Sequence, residues 1–205
     1  MLSNGKAEKL LEVCNWCIEA DIHFLSVYAF STENWNRSKE EIDGLFQLMD
    51  KFFQEALKKC IELGIKIKIV GNKNHFNTTT LEMINRVEKA TSLCDRLQLN
   101  IAFSYGGRDE ILRAIHELCN DVLLKKIQIE DIKEELFSKY LDTTDFPDFD
   151  MVIRTGGYQR LSNFFPWQTV YAELYFVETL WPDFNKQIFN EALYFYKNAK
   201  INNGK

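Results

Sequence analysis

Apolar and polar positions follow two alternating periods along this chain. Ala7, Leu10, Leu11, Cys14, Cys17 and Ile18 recur at spacings of three and four, which puts them on one face of a helix over Lys6–Ala20. The same period predicts helices over Glu40–Leu63, Thr80–Leu93, Arg108–Leu124, Glu130–Tyr140 and Asn185–Asn198. Between them lie short runs of strand-forming residues at His23–Phe30, Ile65–Gly71, Leu97–Tyr105, Phe149–Ile153 and Leu174–Val177. Strand and helix in alternation predict an α/β fold, with a mostly parallel central sheet flanked by helices. Lys66 and Lys68 alternate with Ile65, Ile67 and Ile69, so that strand has one wet face or lies at an edge. Gly64 is placed to cap the longest helix at its C-terminus, and Thr78–Thr80 to start the next one. In that longest helix, Ile42, Leu45, Met49, Phe52, Phe53, Ala56 and Cys60 form one broad apolar face, which ordinary core packing accounts for.

At 205 residues and 46% apolar content, the chain fits one domain, 1–205, with a sizeable core. A net charge of −5 gives no electrostatic footing for nucleic acid. No apolar run approaches the roughly 20 residues of a spanning helix, and no secretory signal opens the sequence. An odd number of cysteines among helical segments favours a reducing, cytoplasmic setting. Cys14 and Cys17 form a C-x-x-C pair, but both fall on the apolar face of their helix and read as core residues. His23, His75 and His116 are far apart in sequence and show no ligand spacing, so no structural metal is expected.

The most informative segment is Arg154–Glu173, RTGGYQRLSNFFPWQTVYAE, which follows the strand-like Phe149–Ile153. Ligands of open α/β sheets sit beyond the carboxyl ends of strands, where Arg154 emerges. Guanidinium groups match phosphate oxygens in paired geometry. Gly156 and Gly157 let backbone approach an anion closely and accept positive φ. Together these features predict a diphosphate site.

Tyr28–Arg37 reads YAFSTENWNR, again directly after a strand-like run. With RTGG, R-L-S-N-F, Trp167-Gln168, YAELYF and Leu180-Trp181-Pro182-Asp183-Phe184 in this order, the chain resembles the cis-prenyltransferases. These are the undecaprenyl diphosphate and dehydrodolichyl diphosphate synthases, and the likeness runs from about Leu10 to about Tyr196. The resemblance implies condensation of isopentenyl diphosphate with an allylic diphosphate such as farnesyl diphosphate, giving a long-chain cis-polyprenyl diphosphate. It implies Mg²⁺, a homodimer, and contact with the membrane surface for a lipid product. It assigns isopentenyl diphosphate binding to Arg154, Arg160, Leu161 and Ser162, and metal ligation to Glu173. Ser31, Thr32, Glu33, Trp35 and Arg37 match the mobile loop over the allylic substrate, and Asn34 the position implicated in proton removal. The resemblance also puts an apolar tunnel for the growing chain between the Glu40–Leu63 helix and the sheet, with Leu97 at its closed end.

Departures from the family pattern qualify these expectations. The family opens with an apolar strand leading into M-D-G-N-G-R-W and later G-H-x-x-G, which supply an aspartate and a phosphate cradle. In ungapped register the histidine of that later segment aligns with Ser3 and its second glycine with Lys6, so this first strand is expected to be missing. Tyr158 stands where many members carry glutamate, and Asn202-Asn203-Gly204 where many end in R-x-G. Two hypotheses remain open: a prenyltransferase whose sequence here is truncated, or a non-catalytic homologue acting as a partner subunit. Activity of these 205 residues alone is expected to be very low. Product length is not legible in the sequence.

Overall fold

The structure, a computed structural model, describes residues 4–199. Ser3 and the Asn202–Gly204 triplet lie outside the described residues. Helix α1 (Asn4–Glu19) turns its Leu10, Val13, Cys14 and Cys17 face into the core. Burial pushes the Cys17 thiol up to about 12 and the Cys14 thiol well above its usual value, so neither is a ready thiolate.

Strand β1 (Phe24–Ser31) leads through a 3-10 turn at Thr32–Asn36 into the long helix α2 (Lys39–Leu63). The Ser38 hydroxyl accepts from the Glu41 N–H to start α2, and Gly64 ends it at φ 73°, a conformation that favours glycine. As its spacing predicts, α2 buries Leu45, Met49, Phe52, Phe53, Ala56 and Cys60. Strand β2 (Ile65–Val70) and helix α3 (Thr78–Ala90) follow. The cap of α3 is Asn77, whose side chain accepts from the Thr80 N–H, rather than the threonines themselves. Strand β3 (Leu97–Tyr105) runs into helix α4 (Gly107–Leu123).

Strand β3 lies between β1 and β2, parallel to both, and every one of its residues is buried. Of the two readings of its alternating lysines, strand β2 shows both features among the described residues: it lies at an edge, and its isoleucines are buried while Lys66 and Lys68 are half-exposed. The Glu130–Tyr140 helix does not form as expected. A 3-10 turn at Ile129–Asp131 precedes the one-turn helix α5 (Glu134–Ser138). Ile129 and Ile132 stay exposed, and only the turn that carries Leu136 and Phe137, the latter packed on Trp167, is α-helical.

Strands β4 (Met151–Arg154) and β5 (Glu173–Phe176) pair in parallel as a separate sheet, and helix α6 (Lys186–Asn198) follows. The single central sheet of the sequence expectation is thus divided in two among the described residues. β1 and β4 each pair on one side only, and a cleft of about 930 Å³ is lined by both. Yet β1 reads FLSVYAFS, close to the continuous apolar run of a strand covered on both faces. A second apolar cluster, Val70, Ala102, Tyr105 and Phe165 with Tyr28, Phe146, Phe149 and Phe164, lies beneath the segment after β4. No helix among the described residues is long and apolar enough to cross a membrane.

Candidate active site

The cleft has two chemistries. Its apolar part is lined by Val27 of β1, Ile101 of β3, and Met49, Phe52 and Phe53 of α2. The α2 stripe therefore serves both as core and as cleft wall. Leu97 is buried at the start of β3 and is not among the residues that line the cleft. Arg154, Arg160, Leu161 and Ser162 also line the cleft and supply its cationic part.

Arg154 ends β4, and the chain then reverses through Gly156 (φ 89°) and Gly157 (φ 77°). The N–H groups of these glycines donate to the Thr179 and Val177 carbonyls at 2.9 and 3.0 Å, fastening the loop to the segment after β5. Ser162, Asn163 and Phe165 all adopt positive φ, at 52°, 66° and 45°. Three non-glycine residues in that region within four positions constitute stored backbone strain, a common feature of functional sites. The strain presents the Ser162 Oγ to Arg154 Nη1 at 2.8 Å, while the Arg160 carbonyl accepts from the same nitrogen.

Tyr158 holds the two guanidiniums together. Its ring centroid lies 4.6 Å from Arg160 Cζ and 5.7 Å from Arg154 Cζ. Desolvation, and then the neighbouring Arg160 charge, lower the Arg154 pKa, and Tyr158 opposes that shift. An aromatic face attracts both cations without cancelling their charge, which a carboxylate there would do.

The loop after β1 lies near this clamp. Asn34 Oδ1 accepts from the Ser31 N–H at 3.0 Å, closing the turn on itself. Trp35 is packed inward: its Nε1 donates to Ser104 Oγ at 2.9 Å, and its ring meets Phe30, Phe46 and His75. Thr32 Oγ1 donates to Glu33 Oε2. Partial burial would raise the Glu33 pKa, but donors from its own backbone, Asn163, Ser31 and Thr32 outweigh this and lower it. Arg37 ends the turn, is exposed, and does not line the cleft.

Glu173, to which the resemblance assigns metal ligation, lies away from Arg154. It opens β5 opposite Met151, whereas Arg154 is opposite Phe176 at the other end of the pair. Three strand steps separate those levels, roughly 10 Å at the rise of a strand. Glu173 also does not line the cleft. Arg154, Arg160 and Ser162 come together within this chain, and Glu173 does not join them. Among the described residues, no group of three His, Cys, Asp or Glu side chains could hold a metal ion.

Asn163 went unnoticed in the sequence. Its backbone carbonyl accepts from the Gly107 N–H and its Oδ1 from the Arg108 N–H, each at 2.9 Å, so it caps α4 from 55 residues away. Gly106 and Gly107 allow this approach. A Cβ on Gly107 would lie 2.0 Å from Pro166 Cδ, and one on Gly106 2.3 Å from Thr32 Oγ1. The adjacent glycines were the only available signal, and they do not name their partner.

Comparison with known proteins gives the chain's family. The family described as putative undecaprenyl diphosphate synthase matches residues 3–204. A tritrans,polycis-undecaprenyl-diphosphate synthase (geranylgeranyl-diphosphate specific) from Thermoplasma acidophilum is 43% identical over 192 residues, covering 93% of this chain and 74% of that protein. An isoprenyl transferase from Aquifex aeolicus is 39% identical over 194 residues, covering 95% and 81%. The lavandulyl diphosphate synthase of Lavandula x intermedia, solved with dimethylallyl diphosphate, superposes with a TM-score of 0.93 at 29% identity, covering 98% and 87%. A probable undecaprenyl diphosphate synthase from Campylobacter jejuni gives 0.87 at 37% identity, covering 100% and 94%. The chain belongs to the cis-prenyltransferase family, typified by undecaprenyl diphosphate synthases, and its activity is prenyl transfer.

Proposed function

We propose that this domain, 1–205, extends an allylic prenyl diphosphate with isopentenyl diphosphate to give a long-chain cis-polyprenyl diphosphate. The observation that carries this is the paired Arg154–Arg160 clamp with Ser162 at the cationic part of an apolar cleft. The diphosphate end of isopentenyl diphosphate meets two guanidiniums and a hydroxyl, and the hydrocarbon extends along Val27, Met49, Phe52 and Phe53. The allylic carbon–oxygen bond breaks and its electron pair leaves with pyrophosphate. The isopentenyl double bond attacks that carbon, and loss of a proton restores a double bond in cis geometry. Asn34 is assigned to the proton-loss step, and Ser31, Thr32, Glu33, Trp35 and Arg37 to the gating loop over the allylic substrate.

Mg²⁺ would screen the diphosphate charges during this reaction. Glu173 alone is too few ligands for a magnesium site, so no step is routed through the ion. The open edges of β1 and β4 suit one further parallel strand, and the family's opening strand is the natural occupant. A homodimer, a cytoplasmic location and contact with a membrane surface belong to the same proposal.

The test uses protein extended upstream by the family's opening segment, supplied with Mg²⁺, labelled isopentenyl diphosphate, and farnesyl or geranylgeranyl diphosphate. Labelled polyprenyl products are expected, with little from the short chain. Arg154→Ala should weaken isopentenyl diphosphate binding about 10- to 100-fold, the effect of losing a charge-assisted hydrogen-bond pair. An unchanged affinity would remove Arg154 from the site.

A further inference from the structure

Asn163 connects two loops that the proposed function uses separately. On one side, its neighbour Ser162 accepts from Arg154 within the clamp. On the other, its Nδ2 donates to Glu33 Oε1 at 2.9 Å, across 130 residues of chain. Both contacts come from the same strained turn, in which Ser162 and Asn163 hold φ of 52° and 66°. The backbone carbonyl and Oδ1 of Asn163 are fixed on the first N–H groups of α4, so its amide can point in only one direction. The loops meet over Gly106, where a Cβ would fall 2.3 Å from Thr32 Oγ1 and 2.9 Å from Asn163 Nδ2.

We propose that Asn163 is a positioning residue that couples the anion clamp to the substrate loop Ser31–Arg37. A diphosphate gripped by Arg154 and Ser162 holds the strained turn in place. The turn holds the Asn163 amide, and the amide holds Glu33 and the loop that carries Asn34 and Trp35. Filling one half of the site therefore orders the other half before chemistry begins. By linkage, a fixed loop must tighten anion binding by the same factor that the anion tightens the loop. This inference rests on Arg154 and Ser162 binding a diphosphate.

Inorganic pyrophosphate is the probe, with two readouts: calorimetric affinity, and amide hydrogen exchange of Thr32–Arg37. In the wild-type protein, pyrophosphate should slow loop exchange roughly tenfold, as expected for holding one charge-assisted hydrogen bond. Asn163→Asp keeps an oxygen for the Arg108 N–H but replaces the donor to Glu33 with a repelling carboxylate. Exchange in α4 should stay slow, while the loop becomes fast and insensitive to pyrophosphate. Adding Glu33→Gln returns a donor, now from the loop side, and should restore the response. A purely structural role for Asn163 does not produce that rescue. Should Asn163→Asp fail to fold, Glu33→Ala removes the same bond without touching α4 and should likewise abolish the response.

If Arg154→Ala weakens pyrophosphate binding but the loop still responds in Asn163→Asp or Glu33→Ala, the coupling is wrong and the clamp stands. Failure of the double variant to rescue, with both variants folded, also rejects the coupling. If pyrophosphate does not bind, or binds Arg154→Ala as well as wild type, the clamp and the coupling fall together.

Discussion

The cationic clamp includes an aromatic side chain at one of the departures from the family pattern. Tyr158 stands where a glutamate is common in the family, and its ring is in cation–π range of two guanidiniums that otherwise repel. Because Tyr158 is exposed, its contribution is modest, about 0.5–1 kcal/mol for a solvent-facing cation–π contact. Tyr158→Leu should therefore weaken pyrophosphate binding about two- to fivefold, and Tyr158→Phe should leave it near wild type. Equal losses in the two variants, measured by calorimetry, would show that ring electrostatics do not matter. At this scale the sequence was informative about chemistry and silent about pairing. Arg154, Arg160 and Ser162 could be chosen by type and spacing, since all lie within nine residues. Asn163 could not be tied to Glu33, because nothing local distinguishes an amide that caps a distant helix from one in water.

Among the elements, α4 and the segment after it hold the clamp loop from below. The Glu110 carboxylate is buried and accepts from the Tyr105 hydroxyl, the Asp142 N–H and the Gln168 amide. Burial first, and then the Asp142 charge, raise its pKa despite those donors. The folded state therefore binds this proton more tightly than the unfolded chain does. The contribution of Glu110 to stability is full below the ordinary carboxylate range and falls as pH rises toward its raised folded value. Urea unfolding across that range should show a downward trend that Glu110→Gln flattens, whatever that variant does to absolute stability. An identical slope in the two proteins would exclude Glu110 as its source. Helix and strand periods were legible here because they are local. The exception was Glu130–Tyr140, which forms only a single helical turn and leaves Ile132 exposed.

At the scale of the whole molecule, the strands of the described residues form two sheets beside one cleft. Strand β3 has partners on both sides and is entirely buried, whereas among the described residues β1 and β4 each have an unpaired edge beside the cleft. Hydrogen exchange should follow that asymmetry, with β3 amides slowest and the outward-facing amides of β1 and β4 several orders of magnitude faster. The upstream-extended protein should protect those same amides. If they are already as slow as β3 in the short chain, the two edges are not open. The position of Glu173 is decided at this scale as well. Parallel pairing of β4 with β5 sets it at the opposite end of the strand pair from Arg154.

The α/β class, the strand positions, the edge character of β2 and the choice of Arg154, Arg160 and Ser162 all followed from the order of residues. Periodicity and short-range spacing are properties of the chain itself. Tertiary structure alone decided that the sheet is split beside a cleft, that Glu173 stands apart from the clamp, and that Asn163 reaches Glu33. These outcomes depend on which backbone edges pair and which loops meet across 55 and 130 residues, and no local pattern encodes that.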